Sequence, residues 1–297
     1  MNIIRLRSVW YAISGILLVG SIVAVAVFGL KFGIDFTGGS LLSVRFDDRP
    51  VSVDIERSLE RLDIGSVIVQ PVGEKDANIR MTSINEEMHV AVLEALQTSF
   101  SDQSVTELRF DSIGPSIGAE LRSKSIKALI IAFLAILAYV AYAFRHVSAP
   151  VKNWKYGVIT LIAAMHDVVI PIGAFALLGA FMGFEIDTPF VVAILTVMGY
   201  SINDTIVVLD RVRENLHRMS GSFDEIIGAS LKQTYVRSLN TSFTTLFALV
   251  AIFLFGGETL KPFALALIIG IVAGTYSSIF IGAPLLVTWE KWTNRKK

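Results

Sequence analysis

The sequence of 297 residues contains no cysteine and comparatively little charge. The lack of cysteine excludes a disulfide scaffold, a cysteine-ligated zinc or iron–sulfur site and a cysteine nucleophile. Charged residues make up 18% of the chain, below the roughly 25% of ordinary soluble domains. Hydrophobic residues make up 53%. This balance excludes a disordered chain and argues against a wholly soluble protein.

The chain also lacks the motifs of common energy-converting and hydrolytic sites. It has neither a G-x-x-x-x-G-K-[ST] phosphate loop nor an H-E-x-x-H zinc motif. We therefore expect no ATP hydrolysis, no enzyme activity, and no cofactor or metal. We also expect no nucleic-acid partner, because segment 31–127 carries more acidic than basic residues and presents no basic surface.

Six apolar runs are long enough to cross a bilayer, which requires about 20 apolar residues. Four runs are uncharged, and the other two contain His166, Asp167 and Asp204. The sequence therefore predicts an α-helical polytopic membrane protein with six transmembrane helices. The six runs are residues 8–30, 128–144, 156–184, 188–209, 238–257 and 262–289.

The first run has two interpretations. Arg5 and Arg7 precede it, and the A-V-A sequence at 24–26 fits the cleavage pattern of a signal peptide. The apolar run is longer than a typical signal-peptide core, however, and continues to Leu30. We therefore expect an uncleaved first transmembrane helix over residues 8–30.

The distribution of lysine and arginine predicts the orientation, because these residues favour cytoplasmic loops. They are concentrated before the first run, between the second and third, between the fourth and fifth, and after the sixth. The opposite short loops carry only Lys261. We therefore expect both termini in the cytoplasm, segment 31–127 outside the membrane, and the remaining spans with short loops over 128–297.

Segment 31–127 predicts one small α+β domain. In its longer helix, Met88, Val92, Ala95, Leu96 and Ser99 recur on one face. The order of elements is β-α-β-β-α-β, the ferredoxin-like arrangement, which favours a docking or lever role. The predicted strands are 40–46, 66–72, 78–82 and 104–110, the predicted helices are 53–62 and 85–100, and His89 is expected on an exposed face or at the core edge.

Two glycine motifs flank this domain. Glycine permits positive φ and close approach of two backbones, so each motif is a candidate hinge or packed corner. A simple turn is an equally weighted alternative. The candidate residues are Gly33, Asp35, Gly38 and Gly39 in GIDFTGG, and Gly114 and Pro115 in IGPSIG.

Carboxylates inside the apolar runs are the strongest functional candidates, because a charge at the centre of a membrane helix costs about 2.5–3.5 kcal/mol. Asp204 lies well inside the fourth run and is the better candidate for a proton-carrying group. Asp167 is the second candidate. Pro171, four residues later, lacks the N–H that would bond the Asp167 carbonyl. Ser201, Asn203 and Thr205 accompany Asp204 in the sequence GYSINDT.

Arg237 is the candidate cation for Asp204. The S-F-D-E sequence at 222–225 predicts a capping box that opens a cytoplasmic helix. That helix leads through Arg237 to a polar stretch containing Asn240 and Thr241. A hydrated path there would let a moving cation load and unload the aspartate with protons. The alternatives are a static ion pair between Asp204 and Arg237, and a simple interhelical hydrogen bond at Asp167.

Small residues recur at every fourth position of the last apolar run. They predict a stripe for close packing against another helix. Pro262 suits the first turn of that helix. The stripe comprises Ala266, Gly270, Gly274, Ser278 and Gly282.

On these motifs the chain resembles the SecF family of the resistance-nodulation-division superfamily. The most specific segment is GYSINDTIVVLDRVREN at 199–215, and the others are 33–39, 113–118, 164–169, 238–245 and 260–286. The resemblance implies a SecD partner, association with the SecYEG channel and YajC, a translocating unfolded polypeptide, and residence in the bacterial inner membrane. It also implies use of the proton motive force, with Asp204, Arg237 and Asp167 in the proton pathway.

Three other functions remain open alternatives. A static scaffold subunit would stabilise the export channel without moving protons. A small-molecule exporter of the same superfamily would usually carry a much larger external domain. An intramembrane aspartyl protease would use Asp167 and Asp204 as a dyad, although the G-x-G-D motif of such proteases is missing.

Overall fold

The computed structural model describes residues 3–143, 145 and 153–294. Lys152 and residues 295–297, which contribute to the predicted orientation, lie outside the described residues. The chain divides into two compact units. One, the helical unit, comprises Met1–Lys31 and Ala128–Lys297, and the other, the sheet unit, comprises Phe32–Lys127.

The described chain contains six helices long and apolar enough to cross a membrane, the last interrupted by a π turn over Ser278–Gly282. The predicted fold class is confirmed by these helices and the small antiparallel sheet. In chain order the elements are α1 Arg7–Phe28, α2 Ile34–Thr37, β1 Gly39–Phe46, α3 Ser52–Leu59, β2 Ile68–Val72, β3 Asp76–Met81, α4 Glu86–Ser99, β4 Val105–Ile113, α5 Pro115–Ala143, α6 Asn153–Met182, α7 Thr188–Arg218, α8 Phe223–Phe255, α9 Lys261–Ser277 and α10 Ala283–Asn294.

Local signals fix the ends of several helices. Ser222 accepts a hydrogen bond from the Glu225 N–H, and the Glu225 carboxylate accepts one from the Ser222 N–H, so the predicted capping box is confirmed. Pro262 lies in the first turn of α9, also as predicted. The helix that begins at Phe223 continues without a break through the fifth apolar run as far as Phe255. α6 likewise continues through Pro171.

The helical unit is built around α6, α7 and the last span. Its largest fully buried side chains include Tyr156, Ile159 and Ile194. α1 packs against α6 where Gly173 lies against Ser21, with no space for a Cβ atom. By contrast, much of the apolar surface of α1, α5 and α8 is exposed. That is the pattern expected when lipid, rather than water, surrounds the helices.

The sheet unit has the predicted ferredoxin-like topology. Its four strands run in the order β2-β3-β1-β4, and each neighbouring pair is antiparallel. In β1, Leu42, Val44 and Phe46 alternate with more exposed residues and are fully buried. Val92 and Leu96 of α4 complete the same core. An ordinary apolar interior therefore holds this unit together.

Two details of α4 were predicted incompletely. Met88 and Ala95 pack against the core as expected, but Ser99 is exposed in the last turn. His89 is buried at the core edge rather than on an exposed face, and its ring stacks on Phe110 with centroids 3.8 Å apart. Its two nitrogens lie 3.2 Å from carboxylate oxygens of Glu86 and Glu107.

Candidate functional site

Asp204 lies on α7 with its carboxylate held by hydroxyl groups from two other elements. Its Oδ1 accepts a hydrogen bond from Ser238 Oγ of α8 at 2.6 Å. Its Oδ2 accepts one from Ser278 Oγ of the π turn. The residue is 9% exposed. A carboxylate so buried is costly unless hydrogen-bonded, and each of its oxygens has a hydroxyl donor.

Asp167 lies on α6 in a second polar cluster and is completely buried. Its Oδ1 is 2.8 Å from Nδ1 of the adjacent His166. Its Oδ2 accepts hydrogen bonds from Ser277 Oγ at 2.6 Å and from Ser201 Oγ of α7. Three elements, α6, α7 and α9, therefore converge on this carboxylate. A charge here would be stabilised by an imidazole and two hydroxyls.

The stripe of small residues brings the last span close enough to α7 to build both clusters. A Cβ atom on Gly270 would collide with Val197, and one on Gly274 would lie 3.0 Å from Ser201 Cβ. Space of this kind lets helix backbones approach closely. The predicted close packing is therefore confirmed, and Ser278, a member of the stripe, provides one of the hydrogen bonds to Asp204.

The residues flanking Asp204 have different surroundings. Ser201 contacts Asp167 rather than Asp204. Thr205 is buried, and its hydroxyl has no hydrogen-bond partner among the described residues. Asn203, next to Asp204 on α7, is exposed. The sequence neighbours of Asp204 therefore supply a donor to the other aspartate.

Arg237 is exposed on α8. Within the described residues no ion pair joins it to Asp204, whose oxygens are bonded to Ser238 and Ser278. Asn240 and Thr241 are exposed as well, and the Thr241 hydroxyl donates to the Arg237 carbonyl at 3.0 Å. The static ion pair considered as an alternative is thus absent from the described part of the chain.

Buried hydroxyls continue along α8 and α9 beyond the aspartates. Ser242 Oγ is 2.5 Å from Thr275 Oγ1, and Tyr200 donates to Ser242 at 3.3 Å. Thr275 is followed in the chain by Tyr276, and the Tyr276 ring is stacked on the His166 ring. The helical unit therefore buries a set of exchangeable protons in addition to its two carboxylates.

The sheet unit contains the two glycine motifs, which pack backbone against backbone. Gly38 has a φ of +72°, and a Cβ atom there would lie 2.8 Å from Pro115 Cα. A Cβ atom on Gly118 would lie 2.8 Å from the Gly38 nitrogen. Of the other candidates, Gly39 has a φ of +122° and would meet the Met81 carbonyl, Gly33 precedes α2, Asp35 lies in its first turn, and Gly114 precedes Pro115.

Sequence reasoning missed four residues as direct partners of the aspartates. Ser238, Ser277 and Ser278 were visible as part of a polar stretch and of a serine pair in the last run, and His166 as an ionisable neighbour of Asp167. Their targets depend on how the helices pack. Across residues 3–143, 145 and 153–294, no group of three His, Cys, Asp or Glu residues could hold a metal ion.

Six apolar helices and two buried carboxylates define a polytopic helical membrane protein with ionisable residues inside its spans. In such proteins these residues mark ion pathways and proton relays. Comparison with known sequences identifies the family. The description "Protein export membrane protein SecD/SecF, C-terminal" matches residues 92–292, and the SecD/SecF GG motif matches residues 23–48.

Named relatives agree along the whole chain. Protein translocase subunit SecF of Thermobaculum terrenum is 43% identical, over 98% of this chain and 94% of the relative. The SecF of Synechocystis is 36% identical, over 96% and 93%. The crystal structure of SecDF from Thermus thermophilus, a translocon-associated membrane protein, is 32% identical with a TM-score of 0.84.

The chain belongs to the SecF family of protein translocase subunits and is a multi-pass membrane protein. The match to SecDF covers 98% of this chain but 39% of the SecDF chain. This chain therefore corresponds to a minor part of that longer polypeptide.

Proposed function

We propose that this chain uses the proton motive force to promote protein export, acting with a SecD partner at the SecYEG channel. The observation that carries the proposal is the pair of buried carboxylates, Asp167 and Asp204, held by hydroxyls and an imidazole rather than by a cation. Ionisable residues inside membrane spans mark ion pathways and proton relays. Two buried carboxyl groups with exchangeable hydroxyl partners are therefore suited to take up and release protons.

The energy for this process would come from the membrane. The sequence lacks a phosphate loop for ATP. A charge that crosses the membrane potential releases about 2.3 kcal/mol per 100 mV. Proton passage through the helical unit is therefore the energy source that fits its residues.

We assign Arg237 as the cation that alternates with protons at Asp204. It immediately precedes Ser238, which donates to the Asp204 carboxylate. Neighbouring residues of an α-helix point about 100° apart. A rotation of α8 of that order would exchange the Ser238 hydroxyl for the Arg237 guanidinium beside the Asp204 carboxylate.

The exposure of Arg237, Asn203 and Asn240 supports the proposal of a SecD partner. Polar side chains are costly against lipid and usually face protein or water inside a membrane. SecDF contains sequence beyond the part that matches this chain, and we assign the covering helices to SecD. The translocating polypeptide and YajC remain partners implied by family resemblance.

The orientation completes the proposal. Both termini lie in the cytoplasm of a bacterial cell, the helical unit spans the inner membrane, and residues 31–127 form a periplasmic domain. Proton-driven change in the helices would move this domain against the emerging polypeptide. The glycine motifs that contain Gly38 and Pro115 lie near the two ends of this segment. Tight backbone packing between them would transmit motion.

The test is a pulse-chase measurement of the export of a signal-peptide-bearing protein. The cells carry Asp204→Asn in their sole copy of this membrane protein. This change keeps the shape of the side chain and removes its charge. We expect precursor to accumulate while the membrane level and SecD association stay normal. Asp204→Glu should retain part of the export because the carboxyl group still titrates.

The matched control is Asp54→Asn, which removes a carboxylate that is 54% exposed in the sheet unit. It should export normally. Normal export by Asp204→Asn would instead contradict proton coupling and favour a static scaffold. Normal export with altered sensitivity to drugs or lipids would favour a small-molecule exporter.

A further inference from the structure

Two serines that are neighbours in the chain contact different buried aspartates. Ser277 Oγ donates to Asp167 Oδ2 at 2.6 Å, whereas Ser278 Oγ donates to Asp204 Oδ2. Both serines are fully buried. Adjacent side chains of a helix diverge by about 100°. Two consecutive residues of the last span can therefore contact α6 and α7 at the same time.

The serine pair lies where the regular helix gives way. α9 ends at Ser277, and the π turn begins at Ser278. Single π turns inside α-helices frequently occur at functional sites. A return of this turn to α-helical hydrogen bonding would redirect the side chains at the junction. The backbone that holds both serines therefore lies at a junction between two helix types.

Each serine hydroxyl also has a second acceptor within its own helix. Ser277 Oγ lies 3.1 Å from the Gly274 carbonyl, and Ser278 Oγ lies 3.1 Å from the Thr275 carbonyl. A hydroxyl carries one proton and can fully satisfy one acceptor. An ionised carboxylate is the stronger acceptor, so an aspartate that becomes protonated releases its serine toward the backbone.

We propose that Ser277 and Ser278 are positioning residues that couple the protonation of Asp167 to that of Asp204. The inference rests on the proposed function. A proton on Asp204 releases Ser278, and the change in the shared junction alters the hydrogen bond from Ser277 to Asp167. The two carboxylates then titrate as one pair, as interacting sites do.

Other titratable groups near the pair are few among the described residues. His166 faces Asp167, and its Nε2 is buried without a hydrogen-bond partner there. Tyr276 of α9 lies against the His166 ring, with centroids 6.0 Å apart. On the Asp204 side, α8 carries Arg237 next to Ser238, and Tyr200 lies one turn before Asp204 on α7.

The test is infrared spectroscopy of the purified full chain in lipid, titrated over pH. The carboxylic C=O band of Asp167 is measured in wild type against Asp167→Asn as background, and in Asp204→Asn against the Asp167→Asn/Asp204→Asn double variant. We expect Asp204→Asn to shift the midpoint of the Asp167 band by about one pH unit, the scale of a coupled pair.

The same comparison in a Ser278→Ala background isolates the serine pair. If coupling runs through the junction, the effect of Asp204→Asn on the Asp167 midpoint shrinks by half or more. Ser230→Ala is the matched control, because Ser230 is a buried hydroxyl that contacts Asn215 and neither aspartate. It should leave the effect of Asp204→Asn intact.

Three results would overturn the inference: an Asp167 midpoint unmoved by Asp204→Asn, an equal shift with and without Ser278, or no protonated band at any pH. The spectra do not depend on export. Coupled titration with normal export of Asp204→Asn would therefore reject the proposed function alone, whereas uncoupled titration with defective export would reject the inference alone.

Discussion

The two units of the molecule are built with opposite interiors. The sheet unit buries Leu42, Val44 and Phe46 and keeps the Arg45–Asp76 ion pair on its surface. The helical unit buries carboxylates and hydroxyls and exposes large apolar side chains such as Ile131, at 66%, and Phe181, at 74%. Apolar side chains that face lipid are not penalised for their exposure. In the helical unit, apolar residues therefore need not be buried inside the protein.

This difference separates stability from function. In the sheet unit the buried residues account for the fold, and the described part shows a plain antiparallel sheet covered by two helices. In the helical unit, Asp167 and Asp204 are expensive to bury, and their oxygens need the hydroxyl and imidazole partners that surround them. The proposed function gives a reason for this cost that stability does not give.

The largest expected effect contrasts Leu42→Ala with Ile131→Ala. Leu42 is fully buried, so its truncation should cost the sheet unit about 2–5 kcal/mol of unfolding free energy. Ile131 lies on the exposed surface of α5, and its truncation should leave the free energy of unfolding nearly unchanged. Amide hydrogen exchange of the full chain in lipid would measure both. An equally costly Ile131→Ala would mean that this surface is packed against protein.

The second contrast lies within the helical unit. Gly270→Ala places a methyl group against Val197 and should separate α9 from α7, at a cost of about 1–3 kcal/mol. Gly199→Ala is the control, because a Cβ atom there meets nothing within 4 Å and alanine favours a helix. Thermal denaturation in lipid would compare the two. Equal midpoints for both variants would contradict tight packing along the stripe of small residues.

The comparison also explains what could be predicted from the sequence. Spans were predictable because each is a long apolar run, and the β-α-β-β-α-β order followed from alternation and helical periodicity. The ends of the helices were less accessible: α7 continues to Arg218, well past its apolar run. Hydropathy detects the part compatible with lipid, whereas backbone hydrogen bonding continues as far as the next capping residue.

The aspartates were predictable because a carboxylate inside an apolar run is visible in the sequence alone. Their partners were not predictable because those contacts depend on how the helices pack. Ser201, three residues before Asp204, contacts Asp167 instead, because its direction on α7 matters more than its sequence distance. The π turn that carries Ser278 had no sequence signal, so the bond between Ser278 and Asp204 could not be inferred.

The smallest expected effect concerns the surface ion pair of the sheet unit. Arg45 Nε lies 2.7 Å from Asp76 Oδ1, but the Arg45 side chain is 56% exposed. The hydrogen bond from Arg45 lowers the pKa of Asp76 in the folded chain. Since the unfolded value is about 3.9, the stabilisation is complete above that pH and is lost as pH falls through the folded pKa.

The pair can therefore be tested by comparing wild type and Asp76→Asn at neutral pH and at successively lower pH, where the difference should shrink as pH falls through the folded pKa of Asp76. Hydrogen exchange of β1 and β3 at matched pH cancels the intrinsic rate. Solvent screening keeps the effect below those of Leu42→Ala and Gly270→Ala. Arg57→Met is the control, because its partner Asp54 is 54% exposed at 3.4 Å. A pH-independent difference between wild type and Asp76→Asn would show that Asp76 acts through packing, which would bring this surface closer to the core than the comparison of the two units implies.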